Sequence, residues 1–248
     1  MFETFRTVRG VIRSLRIYYG NRERKAAMDQ LYRRFVRPGD LVFDIGAHVG
    51  DRVASFRRLG ARVVALEPQP ALGCVLGLLY GRDRSVAVKR AAIGRAVGTT
   101  NLMINVDNPT ISTASTDFMQ AAHGARGWEG QAWTKSIVVP VTTLDALIAE
   151  HGVPAFIKID VEGFEAEALA GLTQAVAALS FEFTTIQRDV SLACIERCSA
   201  LGFDRFNAAL GESQTMTHGD WLCREDISRW LGALPHSANS GDIYAVRG

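Results

Sequence analysis

Leu41-Val42-Phe43-Asp44-Ile45-Gly46-Ala47-His48-Val49-Gly50-Asp51 is the stretch on which the reading of this chain turns. Five residues suited to a buried strand run straight into a turn bearing two glycines, and a helical stretch, Asp51 to Leu59, follows at once. A tight strand-to-helix turn of this kind lets a ligand approach bare backbone and faces it with the free N–H groups of the helix start. The glycine spacing is G-x-x-x-G, which is not the G-x-G-x-x-G of dinucleotide binding. Outward from the turn, Ala61–Leu66 reads as a second strand, residues 70–81 as a helix and Ser85–Ala92 as a third strand. Ala155–Asp160 reads as a fourth strand, Glu165–Ala178 as a helix and Ala178–Thr184 as a fifth strand. A helix near 192–201, a strand near 203–208, a helix near 221–231 and a strand near 243–246 complete the pattern. Strands alternating with helices predict an α/β fold: a mostly parallel sheet with helices on both faces.

In an open parallel sheet, ligands bind beyond the carboxyl ends of the strands. Those ends are acidic here. The first strand ends in Asp44, the second in Glu67, and the fourth in Asp160 and Glu162. Strands covered on both faces should be apolar, because burying a carboxylate is costly. Three acidic ends at one edge therefore point to a site. Glu67 lies 21 residues after Gly46, where an acid for ribose hydroxyls is expected in a nucleoside-binding fold. In Lys158-Ile159-Asp160-Val161-Glu162-Gly163, alternation puts Lys158, Asp160 and Glu162 on one side of the strand. Glu165 and Glu167 read as favourable charges in the first turn of the next helix.

The 248 residues are 48% hydrophobic and 22% charged, with a net charge of +2. This excludes a disordered, fibrous or disulfide-stapled chain and gives no strong field for a polyanion. The charge is uneven, however. Residues 1–40 hold ten basic and four acidic residues, and the remainder is net acidic. We divide the chain into a basic helical segment, 1–39, and a main domain, 40–248. Phe5, Val8, Ile12, Leu15 and Tyr19 predict one apolar helix face, with Arg6, Arg9, Arg13 and Arg16 beside it. Such a helix can pack on the domain, lie on anionic lipid or form a dimer contact, so residues 1–35 are a candidate peripheral membrane surface. A second helix is expected from Arg22 to Phe35, ended by Pro38-Gly39-Asp40. Cys74, Cys194, Cys198 and Cys223 lack metal-site spacing and read as reduced thiols. With no membrane-spanning run and no secretory signal in the sequence, a cytoplasmic protein is expected. Residues 98–140, rich in Thr, Ser, Asn and Gly and carrying Trp128 and Trp133, break the alternation. They read as an insertion or lid in which 100–105 and 136–141 pair antiparallel.

At these residues the chain resembles the FkbM family of S-adenosylmethionine-dependent methyltransferases. The matching stretches are Phe43–Asp51, Leu66-Glu67-Pro68, Ala91-Ala92-Ile93-Gly94, Val141–Asp145 and Ile157–Glu165, with Gly171 after them. The family more often has Asn where His48 stands. The resemblance implies a class I methyltransferase (Rossmann-like) fold with a seven-stranded, mostly parallel sheet whose last strand is antiparallel. The N-terminal helices and the insertion before the fourth strand would be additions to it. It implies S-adenosyl-L-methionine as cofactor, held by Asp44, Gly46, Ala47, His48, Gly50, Glu67, Pro68, Ala91, Ala92 and Asp160. Asp160 and Glu162 would stand where cofactor and acceptor meet.

The resemblance also implies O-methylation of a hydroxyl on a sugar or natural product, a small-molecule or glycan acceptor. An alcohol is a poor nucleophile, so a base or a metal should help remove its proton. Asp160, Glu162, His123 and Glu182 are candidates, with Asp160 or Glu162 favoured by their place in the fold and His123 carried on the insertion. We assign no metal from the sequence, although Asp160, Glu162 and Glu182 could hold a divalent ion. Two rival readings are a nucleic-acid methyltransferase touching phosphates through the first helix and a non-catalytic, methyltransferase-like binding scaffold. Basic residues concentrate only in that first segment, which argues against nucleic acid.

Overall fold

The computed structural model describes residues 2–248, with side chains from residue 6 onward. Phe5 of the expected apolar face thus has its side chain outside the described residues. Two helices, α1 (Phe2–Tyr19) and α2 (Arg22–Tyr32), precede β1 (Leu41–Ile45). Then come α3 (Asp51–Arg58), β2 (Arg62–Leu66), α4 (Pro70–Tyr80), β3 (Val86–Lys89), β4 (Ala92–Ile93) and β5 (Gly98–Ile104). They are followed by α5 (Thr116–Ala122), β6 (Lys135–Thr142), α6 (Leu144–His151), β7 (Phe156–Ile159), α7 (Glu165–Ala170) and β8 (Ala178–Thr184). The chain ends with α8 (Arg188–Ala200), β9 (Arg205–Leu210), α9 (Arg224–Ala233) and β10 (Ser240–Val246).

The main sheet has seven strands in the order β3-β2-β1-β7-β8-β10-β9. Only β10 runs against its neighbours, pairing antiparallel with both β8 and β9. This is the predicted α/β architecture. One face carries Phe43, Ile45, Ile157, Ile159, Phe181 and Ile243, which pack against residues of α6, α7, α8 and α9. The other face carries Val42, Phe156, Ala178 and Tyr244, packed against Met28, Leu31 and Tyr32 of α2 and Val53 and Phe56 of α3. Register sets Asp44 beside Lys158, Lys158 beside Ser180, and Glu182 beside Asp242, so this second face becomes polar toward one edge.

The expected third strand divides in two. Pairing with β2 stops at Leu66–Lys89, and the chain crosses the sheet end through Arg90 and Ala91. Ala92–Ile93 then joins β6 in a separate sheet of order β4-β6-β5. The ribbon of β5 and β6 is antiparallel, as expected. The helix expected over 165–178 ends at Ala170. Any Cβ at Gly171 would meet the Gly94 carbonyl at 2.4 Å. Asp145 then accepts from the backbone and hydroxyl of Thr173 at 2.9 and 2.6 Å, which holds the chain in a turn.

The first helix is rotated from its expected face. Val8 and Ile12 are about half exposed, whereas Val11 packs with Leu15, Tyr18, Tyr19 and Leu72 of α4. The reason is close approach: Gly10 sits so near Pro109 that a Cβ there would lie 2.9 Å from its ring. All four cysteines are free thiols, Cys194 and Cys198 being buried. No described helix is long and apolar enough to cross a membrane.

Candidate active site

A cleft of about 290 Å³ opens at the carboxyl edge of the sheet. Asp44, Gly46, Ala47, His48, Glu67, Pro68, Ala91, Ala92, Asp160, Glu162 and Glu182 all line it. Two of the expected residues do not. Gly50 is buried under the turn, where a Cβ would meet Leu76 and Tyr80. His123 lies on the insertion, as expected, exposed just past the end of α5 and outside the cleft lining.

The turn after β1 is built from close contacts. Gly46 adopts φ 84°, and a Cβ there would overlap the Asp160 carbonyl oxygen at 1.8 Å. Only glycine lets the ends of β1 and β7 come this close. His48 (φ 49°) and Gly50 (φ 82°) are also left-handed, and Gly50 is the N-cap of α3. Among the described residues, four non-glycines have positive φ, and three of them, His48, Glu162 and Asn239, line the cleft. Strained backbone gathered at one cleft is characteristic of a functional site.

Glu67 anchors this turn. Its Oε2 accepts from the His48 backbone N–H at 2.9 Å and its Oε1 from that of Gln69 at 2.8 Å. Burial pushes its carboxyl up to about 8 in spite of these bonds. Burial likewise pushes Asp44 up to about 7, and its Oδ2 is sealed from solvent with no hydrogen-bond partner among the described residues. Burial drives His48 down to about 4, so its imidazole is neutral at pH 7.

On β7, Lys158 is fully buried, with Nζ 3.1 Å from Asp160 and 2.9 Å from Asp242. Burial opposes its charge, but those two acids hold it well above the usual lysine range. Burial would raise Asp160 too, yet Lys158 and then Arg52 keep its carboxyl below the ordinary value. Glu162 and Glu182 are pushed well above theirs, by burial first and by neighbouring carboxylates after it. Glu165 does more than favour a helix start. It is buried, and its Oε1 accepts from the backbone of Val161 at 3.0 Å and Gly163 at 3.3 Å, fixing the loop that carries Glu162.

Sequence reasoning missed one wall of the cleft. Asp51 and Arg52, directly after the glycine turn, join Arg24 of α2 and Glu212 of the loop after β9. Arg24 lies 2.9 Å from Asp51 and 2.7 Å from Glu212, and Arg52 lies 2.9 and 3.2 Å from the same pair. Burial would raise Glu212, but Arg52 and Arg24 hold it down at about 2. The position of Asp51-Arg52 beside the turn was a usable signal; Glu212, and Tyr18 of α1, which also lines the cleft, offered none. The insertion supplies the opposite wall. Thr113 donates to the Glu162 carbonyl at 2.6 Å, and Gln69 donates to the Pro109 carbonyl at 2.9 Å. Trp133 packs on Phe118 and donates to Ile111, so it fills a local core. Trp128 packs there too, lines the cleft and donates to Asn239.

The strand order, the single antiparallel strand and a cleft floored by a glycine turn and two acids define a nucleoside-cofactor enzyme of the α/β class. The model of the FkbM methyltransferase domain family matches residues 44–217. The chain belongs to that family and is an S-adenosylmethionine-dependent methyltransferase. No curated protein sequence matches the chain. Solved structures similar to it include a precorrin-6y C5,15-methyltransferase from Geobacter metallireducens, at 12% identity and TM-score 0.44 over 90% of this chain and 87% of that one. Another is a TehB-like methyltransferase from Corynebacterium glutamicum, at 11% and 0.45 over 90% and 88%. A third is the magnesium protoporphyrin IX methyltransferase of Synechocystis, at 12% and 0.44 over 96% and 84%.

Proposed function

We propose that this methyltransferase acts on a hydroxyl group of a small molecule or glycan. One observation carries the reading: Asp160, kept ionised by Lys158, shares a single cleft with Asp44 and Glu67. The residues present suit the cofactor. Asp44 has a buried oxygen without a donor, which an ammonium or a bound water would satisfy. Glu67 keeps lone pairs free for ribose hydroxyls after serving two backbone donors. Gly46, Ala47 and His48 line the cleft beside them, their N–H groups already held by the Leu66 carbonyl and Glu67, and Pro68, Ala91 and Ala92 offer apolar contact for a base.

When bound, the cofactor supplies a methyl group on a positively charged sulfur. The chain's work is then to orient the acceptor, exclude water and take up a proton. Asp160 is the group suited to accept that proton, because it faces the cleft and stays charged at neutral pH. Labelled methyl transfer to a panel of hydroxylated acceptors tests the substrate class. Asp160→Asn should abolish turnover while cofactor still binds in calorimetry. Wild-type turnover in that variant would remove Asp160 from the reaction.

A further inference from the structure

Three carboxylates converge in the cleft. Asp160 and Glu162 come from the loop after β7, and Glu182 from β8. One carboxylate oxygen from each lies within 4.8 Å of the other two. Glu162 is only 6% exposed, and no hydrogen-bond donor among the described residues reaches its carboxylate. Oε2 of Glu182 is shut off from solvent and has no partner either. The sheet register adds to this charge, because Asp242 stands directly opposite Glu182 on the antiparallel strand. Like charges in that position are unfavourable. Lys158 is already shared between Asp160 and Asp242, and it comes within ion-pair distance of neither Glu162 nor Glu182. A carboxyl left unpaired in such a place must either keep its proton or be joined by a cation.

The backbone holds the cluster in place. Glu162 sits in the left-handed region at φ 54°, with Gly163 after it at φ 85°. Thr113 clamps its carbonyl, and Glu165 holds the N–H groups on either side of it. A strained residue fixed at three points is positioned for a purpose other than stability.

We propose that Asp160, Glu162 and Glu182 bind one divalent metal ion of the hard, oxygen-seeking class, such as Mg²⁺ or Mn²⁺. Oxygens bound to one hard cation lie at most roughly 4 Å apart for Mg²⁺ and roughly 5 Å apart for Ca²⁺, and these three, within 4.8 Å of one another, need little or no movement to share one. The geometry stands by itself, whereas the use of the ion rests on the methyltransferase reading above. Placed there, the ion would take the place of the protons on Glu162 and Glu182, and it would stabilise negative charge on an acceptor oxygen as its proton leaves for the Asp160 oxygen that does not hold the ion.

The test titrates Mn²⁺ into the purified full chain, with the free ion followed by electron paramagnetic resonance. S-adenosylmethionine binding is measured separately by calorimetry. One Mn²⁺ per chain is expected, weakened at least tenfold in Glu162→Gln and in Glu182→Gln and unchanged in Glu196→Gln, an exposed acid on α8. Cofactor affinity should stay within threefold in all three variants. Absence of saturable Mn²⁺ binding to the wild type, with or without cofactor, overturns the proposal whether or not the variants fold. So does equal Mn²⁺ affinity in both cleft variants. Loss of cofactor affinity in those variants without any Mn²⁺ binding also overturns it, because the acids would then serve the cofactor's own positive charge. A wild type that binds Mn²⁺ but not S-adenosylmethionine would leave the ion site standing and overturn the functional reading instead.

Discussion

Gly46 and Glu67 show how little freedom single positions have in this cleft. At Gly46 any side chain meets the Asp160 carbonyl and must also accept φ 84°. Gly46→Ala should cost about 3 kcal/mol, from left-handed strain plus the backbone shift, and thermal or urea unfolding would show it. Glu67→Gln keeps the size of the side chain. It nevertheless puts an amide where two backbone N–H groups need an acceptor, and it weakens the acceptor offered to ribose hydroxyls. A net hydrogen bond of an uncharged carboxyl contributes about 0.5–1.5 kcal/mol, so S-adenosylmethionine should bind roughly twofold to tenfold more weakly, as read by calorimetry. Glu67 was legible in the sequence because a strand end and a fixed spacing announced it. Glu165 was misread because its spacing looked the same whether its carboxylate faced water or turned back on its own loop.

Among the elements, α1 is the one whose role changed most between sequence and structure. Its basic, half-apolar pattern allowed it to pack on the domain, lie on lipid or form a dimer contact, and Val8 and Ile12 do remain exposed. Its C-terminal end, however, reaches the glycine turn. The hydroxyls of Tyr19 and Tyr80 meet at 2.9 Å and lie 3.1 and 2.7 Å from the carbonyls of Val49 and Gly50. Tyr18 lines the cleft and meets His48 edge-on at 5.3 Å. The helix therefore braces the turn that would hold the cofactor. Tyr19→Phe should leave the fold intact and weaken cofactor binding by about threefold to tenfold, in keeping with the loss of about one net hydrogen bond. Unchanged affinity would mean that the turn is rigid without its brace.

The whole molecule buries several acids at one edge, and that sets its response to pH. Asp44, Glu67 and Glu165 have folded values near 7, 8 and 7, above their ordinary ones. Their stabilising contribution is complete below about pH 4, where the unfolded chain also binds the proton, and is lost as pH rises through 7 to 8. Glu212 acts in the opposite sense: held at about 2, it contributes above its ordinary value and is lost as pH falls through 2. The cofactor-free protein should therefore show a falling Tm between about pH 5 and 8.5, and Glu67→Gln should flatten that slope. A wild-type Tm that rises over this range would contradict the burial of these acids.

The seven-stranded α/β sheet, its helices and most of the cleft floor were determined by the sequence alone. Strand–turn–helix signals are local, and in a parallel sheet every strand end that carries an acid meets the others at one edge. The antiparallel ribbon of β5 and β6 was legible for the same reason, since its two strands alternate over short, separate stretches. Tertiary structure alone decided the contacts made across long chain separations. Glu212 reaches Arg24 and Arg52, the insertion clamps Glu162 through Thr113, and Glu182 faces Asp242 across the last strand. Periodicity reports which face a side chain takes within its own element. It says nothing of which distant element arrives to meet it, so the sequence could name Asp160, Glu162 and Glu182 as possible ligands, but the charge balance of the cleft emerged only once the chain was folded.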